Sequence, residues 1–176
     1  MNEIIKKNGI AFGIIIGIFS ILVTTLIYTI DLNLFVNIWV GLTTIAIYII
    51  IGVLVVAKTK KQLHGQITFK EAFTVYFIAA VIGGLLSTVF QIVLFNVIDP
   101  AAKETIKELG IKYTTETMER FNAPSASINE TVEQMQSVDN YSPVSLLKGF
   151  AFGLIISAIF SALLGLIFRS KTDYTQ

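Results

Sequence analysis

The sequence predicts an all-α integral membrane protein of four transmembrane helices, with a helical insertion between the third and the fourth. Three observations carry that expectation. The 176 residues are 54% hydrophobic and only 14% charged, whereas soluble domains are about 25% charged. Four long apolar runs stand at about residues 9–30, 34–57, 72–98 and 144–168, and Lys148 is the one charge inside them. A rise of about 1.5 Å per residue lets each run cross a hydrocarbon core of about 30 Å. Finally, one long polar stretch, residues 99–143, holds all three prolines, so no span is expected to kink at proline.

Met1 to Asn8 is short and polar, with Lys6 and Lys7, and Gly9 to Tyr28 follows without a charge. A basic start before an apolar run resembles a signal peptide. This run is longer than an h-region, and no small-x-small cleavage site follows it, so an uncleaved first span is expected. Asp31-Leu32-Asn33 reads as a tight polar turn. The second span, Leu34 to Ala57, places Trp39 at headgroup depth. A polar connection from Lys58 to Glu71 turns at Gly65 and leads into the third span.

The insertion opens with Asp99-Pro100, an N-cap followed by proline at the first helical position. Ala102, Ile106, Leu109 and Tyr113 then share one face, and Gly110 is expected to interrupt this helix. Residues 122–126 read as a break, after which Ser127-x-x-Glu130 has the pattern of a capping box. Ile128, Val132, Met135 and Val138 form a second stripe. Few basic residues flank either stripe, which favours a helical hairpin over two helices lying on the bilayer.

Orientation is expected from basic residues near the span ends. Lys6, Lys7, Lys58, Lys60, Lys61, Lys70, Arg169 and Lys171 crowd one side, and Lys103, Lys107, Lys112, Arg120 and Lys148 spread along the other. Both termini are therefore expected in the cytoplasm and residues 99–143 outside it. That segment carries 4 basic and 8 acidic residues, a net charge of −4, and should not bind an anionic bilayer surface.

In lipid, helices associate by close packing, which small residues permit. The last span repeats Gly149, Gly153, Ser157, Ser161 and Gly165 every fourth residue, and the first has Gly9, Gly13 and Gly17. In the third, Ala80, Gly84, Ser87 and Gln91 continue a stripe that begins at Tyr76. These positions are the expected helix-packing faces. The segments 9–17 and 149–157 agree at six of nine positions. Inverted repeats mark transporters, but the match does not extend to the other two spans and is read as convergence of small-residue helices.

The composition removes several functions. No Asp, Glu, Lys, Arg or His lies in the middle of a span, which argues against a proton relay, a voltage sensor and a buried catalytic acid. No cysteine and a single histidine, His64, leave no metal set, no thiol nucleophile and no Ser-His-Asp constellation. Phosphate-binding and dinucleotide-binding glycine motifs do not occur, nor do basic stripes for nucleic acid. No catalytic residue, cofactor or metal is expected. One polar group remains: Asn33, Asn37, Gln91, Asn96, Asp99 and Lys148 all map to the outer third of the membrane. They are candidates for an outward-facing vestibule, against ordinary capping at span ends.

Three stretches carry a family resemblance over essentially the full length. They are Ile67-Thr-Phe-Lys-Glu-Ala-Phe73, Phe95-Asn96-x-Ile98-Asp99-Pro100, and the glycine-rich first and last spans around a pair of amphipathic segments. The chain resembles the bacterial membrane proteins grouped as domain of unknown function 4199, found mainly in Bacteroidota. The resemblance implies a four-span protein of the bacterial cytoplasmic membrane and supplies no catalytic residues. The leading functional expectation is a non-enzymatic membrane protein acting by helix association with itself or with another membrane protein. The alternative is a small oligomeric transporter or channel using the outer polar group.

Overall fold

The computed structural model describes residues 2–170; Lys171, counted above for orientation, lies outside them. Six α-helices follow in order: α1 Glu3–Ile30, α2 Ile38–Gln62, α3 Phe69–Val93, α4 Pro100–Arg120, α5 Ser125–Ser137 and α6 Pro143–Phe168. Among the described residues there is no strand. Four helices are long and apolar enough to cross a membrane: α1, α2, α3 with its extension to Ile98, and α6. The protein is thus an all-α, multi-pass membrane protein.

Local chemistry sets the helix ends. Asn2 caps α1 through the Ile4 N–H, so the helix starts at Glu3, before the apolar run. Leu34 to Val36, expected in the second span, instead belong to a 3₁₀ turn, Leu32–Val36. Asn37 starts α2 by accepting from the Trp39 and Val40 N–H groups. Between α2 and α3 the chain turns through Gly65, whose φ of 83° suits a residue without Cβ. Thr68 and Glu71 then form a reciprocal capping box for α3. At the far end of α3 the ladder widens into a π turn, Leu94–Ile98.

Asp99 caps α4 at the Ala101 and Ala102 N–H groups, with Pro100 first in the helix. Two expectations for this region fail. Gly110 does not interrupt α4, because α5 lies over it: a Cβ there would stand 3.7 Å from Met135 Cε. Nor does Ser127 cap α5, which has already started at Ser125 after Pro124, so Ser127 lies within the first turn. Lys103 and Asp139 close the hairpin with an ion pair of 2.7 Å.

The bundle is tight at both ends. At the end bearing the termini, Ile5, Val55, Val56, Ile67, Ala72, Val75, Tyr76 and Leu164 form one core. Polar ties hold it. The Asn8 amide donates to Thr59 Oγ1 at 2.9 Å and to Gln62 Oε1 at 2.7 Å. Lys60 donates to the Phe168 carbonyl at 2.9 Å, satisfying an orphan acceptor of α6. At the other end, Leu94, Phe95, Ala102 and Ile106 form a second core beneath α4, with Phe35 and Tyr141 packed on it.

Candidate functional site

Helices α1 and α3 run parallel and lie against each other through glycine. A Cβ on Gly9 would come 3.1 Å from the Val75 carbonyl oxygen, and one on Gly13 would come 3.0 Å from that of Ala79. Gly17 sits under Leu86 in the same way. On the other face of α3, Gly84 receives the Phe150 ring of α6, 2.9 Å from where its Cβ would be. Nearer the termini, Gly165 lies on Phe69 and Ser161 is fully buried. Across from them Gly52 of α2 faces both Tyr76 and Phe160, whose rings meet edge to face at 5.2 Å.

Beyond Gly52 and Phe160, α6 stands away from α2, and a cleft of about 430 Å³ opens. Its floor is the small-residue stripe of α3, from Tyr76 through Ala80, Gly84 and Ser87 to Gln91. Its wall is the outer half of the α6 stripe, Ser145, Gly149, Gly153 and Ser157. Ile16 and Ser20 of α1 and Tyr48 of α2 bound the opposite side, and Asn140 stands at the mouth. The expectation that Gly149 and Gly153 pack against a helix of the bundle fails. Both are exposed, and a Cβ on either would meet nothing within 4 Å. The phenyl group of Phe150 takes the contact with α3 in their place, and holds the two small-residue faces apart. The matching segments 9–17 and 149–157 therefore do different work: one is a helix contact, the other a cleft wall.

The cleft is polar but uncharged. The Ser20 hydroxyl donates to the Ile16 carbonyl at 2.8 Å, leaving its oxygen to accept from the Tyr48 hydroxyl at 2.7 Å. The Gln91 amide donates to Ser87 Oγ at 3.1 Å. Tyr76 and Thr88 are only 8% and 7% exposed. Among the described residues no hydrogen bond serves either hydroxyl, yet no buried side-chain oxygen is stranded away from open space. Both residues line the cleft, and each hydroxyl oxygen reaches accessible space. No Asp, Glu, Lys, Arg or His is among the lining residues.

The expected outer polar group is not one site. Gln91 lines the cleft, but Asn37 caps α2 and Asn33 turns back on Asp31. Asn96 donates to the Ile92 and Tyr141 carbonyls. Asp99 caps α4 and accepts from the Tyr28 hydroxyl at 2.8 Å. Lys148 lies on the exposed side of α6. Helix ends consume polar side chains before they can converge. Sequence reasoning missed Ser20, Tyr48, Thr88, Gly52 and Gly83. A signal existed for Ser20, three residues past Gly17 on the same face, and for Thr88, four past Gly84.

Outside the spans, three groups titrate away from their ordinary values. The Asn33 backbone N–H, then its amide, hold the Asp31 carboxyl low. Burial raises the Asp139 carboxyl, but the Lys103 ammonium and the Tyr141 and Ser142 N–H groups outweigh it and leave it lowered. Burial against Phe95 raises the Tyr141 hydroxyl. Among the described residues no three His, Cys, Asp or Glu side chains gather where a metal could be held.

Four spanning helices around an uncharged cleft define the class: a multi-pass membrane protein with an internal recess at the depth of the spans. Residues 11–170 match the family model described as protein of unknown function (DUF4199), and the chain belongs to that family. Comparison with curated proteins and with solved structures gave no match.

Proposed function

We propose that this protein is non-enzymatic and works by association inside the membrane, with the cleft between α2 and α6 as the receiving surface. The observation that carries this reading is the open space over Gly149 and Gly153. Every other glycine within the spans except Gly41 lies under a neighbour, as lipid-embedded packing favours. An uncharged lining offers no general acid, base or metal, which supports binding over catalysis. The distribution of lysine and arginine supports a location in a bacterial cytoplasmic membrane with both termini inside and the α4–α5 hairpin outside. A reporter fused at Arg120 that is active only in the cytoplasm would sink that orientation.

A second reading, a small oligomeric transporter or channel, draws on Gln91 and Asn140 at the outer mouth of the cleft. The two readings separate by photocrosslinking. With benzoylphenylalanine at Leu154 in the full chain in native membranes, association gives adducts exceeding those from the outward-facing Ile167. Equal capture at both positions rejects the cleft as a receiving surface. Flux of solute through reconstituted vesicles, abolished by Gln91→Leu, establishes transport instead.

A further inference from the structure

We propose that the floor of the cleft hydrogen-bonds the carbonyl oxygens of a neutral, lipid-soluble molecule that enters sideways from the bilayer between α2 and α6. This rests on the reading of the cleft as a receiving surface and names what it receives. Three features of the cleft specify the chemistry.

The first is a surplus of donors. The phenol of Tyr76 and the hydroxyl of Thr88 have no bond within the described chain, although both residues are more than nine-tenths buried. Gln91 spends one amide N–H on Ser87 and keeps a second. Both hydroxyls reach open space and can donate there, so the cleft offers donors to acceptor oxygens. A transmembrane helix supplies them poorly, because its backbone carbonyls are bonded to its own N–H groups. A carbonyl on a small molecule supplies them directly.

The second feature is the missing charge. A phosphate or ammonium drawn to the level of Tyr76 and Thr88 would meet no counter-ion and would lose its hydration. The bound portion is therefore neutral. The third feature is shape. Ile16, Ala80, Phe150 and Leu154 give the cleft an apolar lining around its hydroxyls. A volume of about 430 Å³ falls within the roughly 300–1,000 Å³ of small-molecule sites. Gly149 and Gly153 carry no side chain to bar the way from lipid. Two neutral membrane components present carbonyl oxygens on an apolar body: the ester groups of a diacylglycerol and the ring carbonyls of an isoprenoid quinone.

The test uses the full chain in nanodiscs and two photoactivatable probes, a dioctanoylglycerol and a short-tailed benzoquinone, each with a diazirine in its apolar tail. Labelled peptides are read by mass spectrometry. At least one probe is expected to label α3 and α6 around the cleft, and the preferred probe identifies the source. The double variant Tyr76→Phe, Thr88→Val keeps ring and shape, and should lower labelling about tenfold, the effect of two lost hydrogen bonds. Its fold is checked by helicity and elution volume. Gly153→Leu, which adds bulk where there is open space, should block labelling independently. Labelling undiminished by the double variant but blocked by Gly153→Leu overturns the hydroxyl site and leaves the receiving cleft. A polypeptide captured at Leu154, with neither probe labelling, overturns the ligand class and leaves association. No labelling and no capture removes both.

Discussion

Gly83 of α3 stands over the carbonyl oxygen of Gly13 in α1: a Cβ on Gly83 would lie 3.1 Å from that oxygen and 2.7 Å from Ile16 Cβ. Backbone meets backbone here, and the parallel α1–α3 pair is fixed by it. Gly83→Ala should therefore force the helices apart and destabilise the protein by roughly 1–3 kcal/mol, the range for overpacking. Gly149→Ala, with open space around it, should leave the midpoint of thermal unfolding in detergent unchanged. Equal tolerance at both positions would refute the assigned packing.

Tyr48 and Ser20 join α2 to α1 within the apolar region. Interhelical hydrogen bonds in membrane proteins average about 0.6 kcal/mol, so Tyr48→Phe should cost about that much in reversible unfolding in bicelles. A loss above about 2 kcal/mol would show that the Phe19–Tyr48 ring contact, or the cleft itself, depends on the hydroxyl.

Asp99 serves two elements, capping α4 and holding the Tyr28 hydroxyl. Asp99→Ala should cost about 1 kcal/mol as a lost cap and speed amide exchange in the first turn of α4. Tyr28→Phe removes only the tie to α1, so exchange there should rise less. If Tyr28→Phe has the larger effect, the tyrosine and not the cap orders that turn.

The Lys103–Asp139 pair makes the hairpin acid-sensitive. Because the folded-state value of Asp139 is lowered, its contribution is present above the ordinary carboxylate value of 3.8. It is lost as pH falls through the lower, folded-state value. Limited proteolysis within 121–142 should accelerate on acidification below about pH 4. Asp139→Asn should be cut faster at neutral pH and show a weaker acid step. An unchanged acid step in the variant would assign the sensitivity to another carboxylate.

Much of the local structure is written in short stretches. The four spans follow from apolar length, and the start of α4 from Asp99-Pro100. Where a nearby alternative competes, the pattern misleads. The second span was expected from Leu34, but α2 starts only after its Asn37 N-cap, and α5 began two residues before Ser127. Gly110 stayed helical because Met135 and Val36 cover it, a contact from distant parts of the chain.

Membrane insertion is a sum of local transfer free energies, so the sequence by itself determined which segments span and that no charge lies in the middle of one. It also marked the small-residue faces, because closeness of approach depends on side-chain size at a single position. Which faces actually touch was decided only in three dimensions. Phe150 against Gly84 and Phe160 beside Gly52 are bulky rings meeting glycines of other helices. They hold α6 against its neighbours at discrete points and leave Gly149 and Gly153 open along the cleft. Spacing along one helix cannot encode the rings that a neighbouring helix will bring to it.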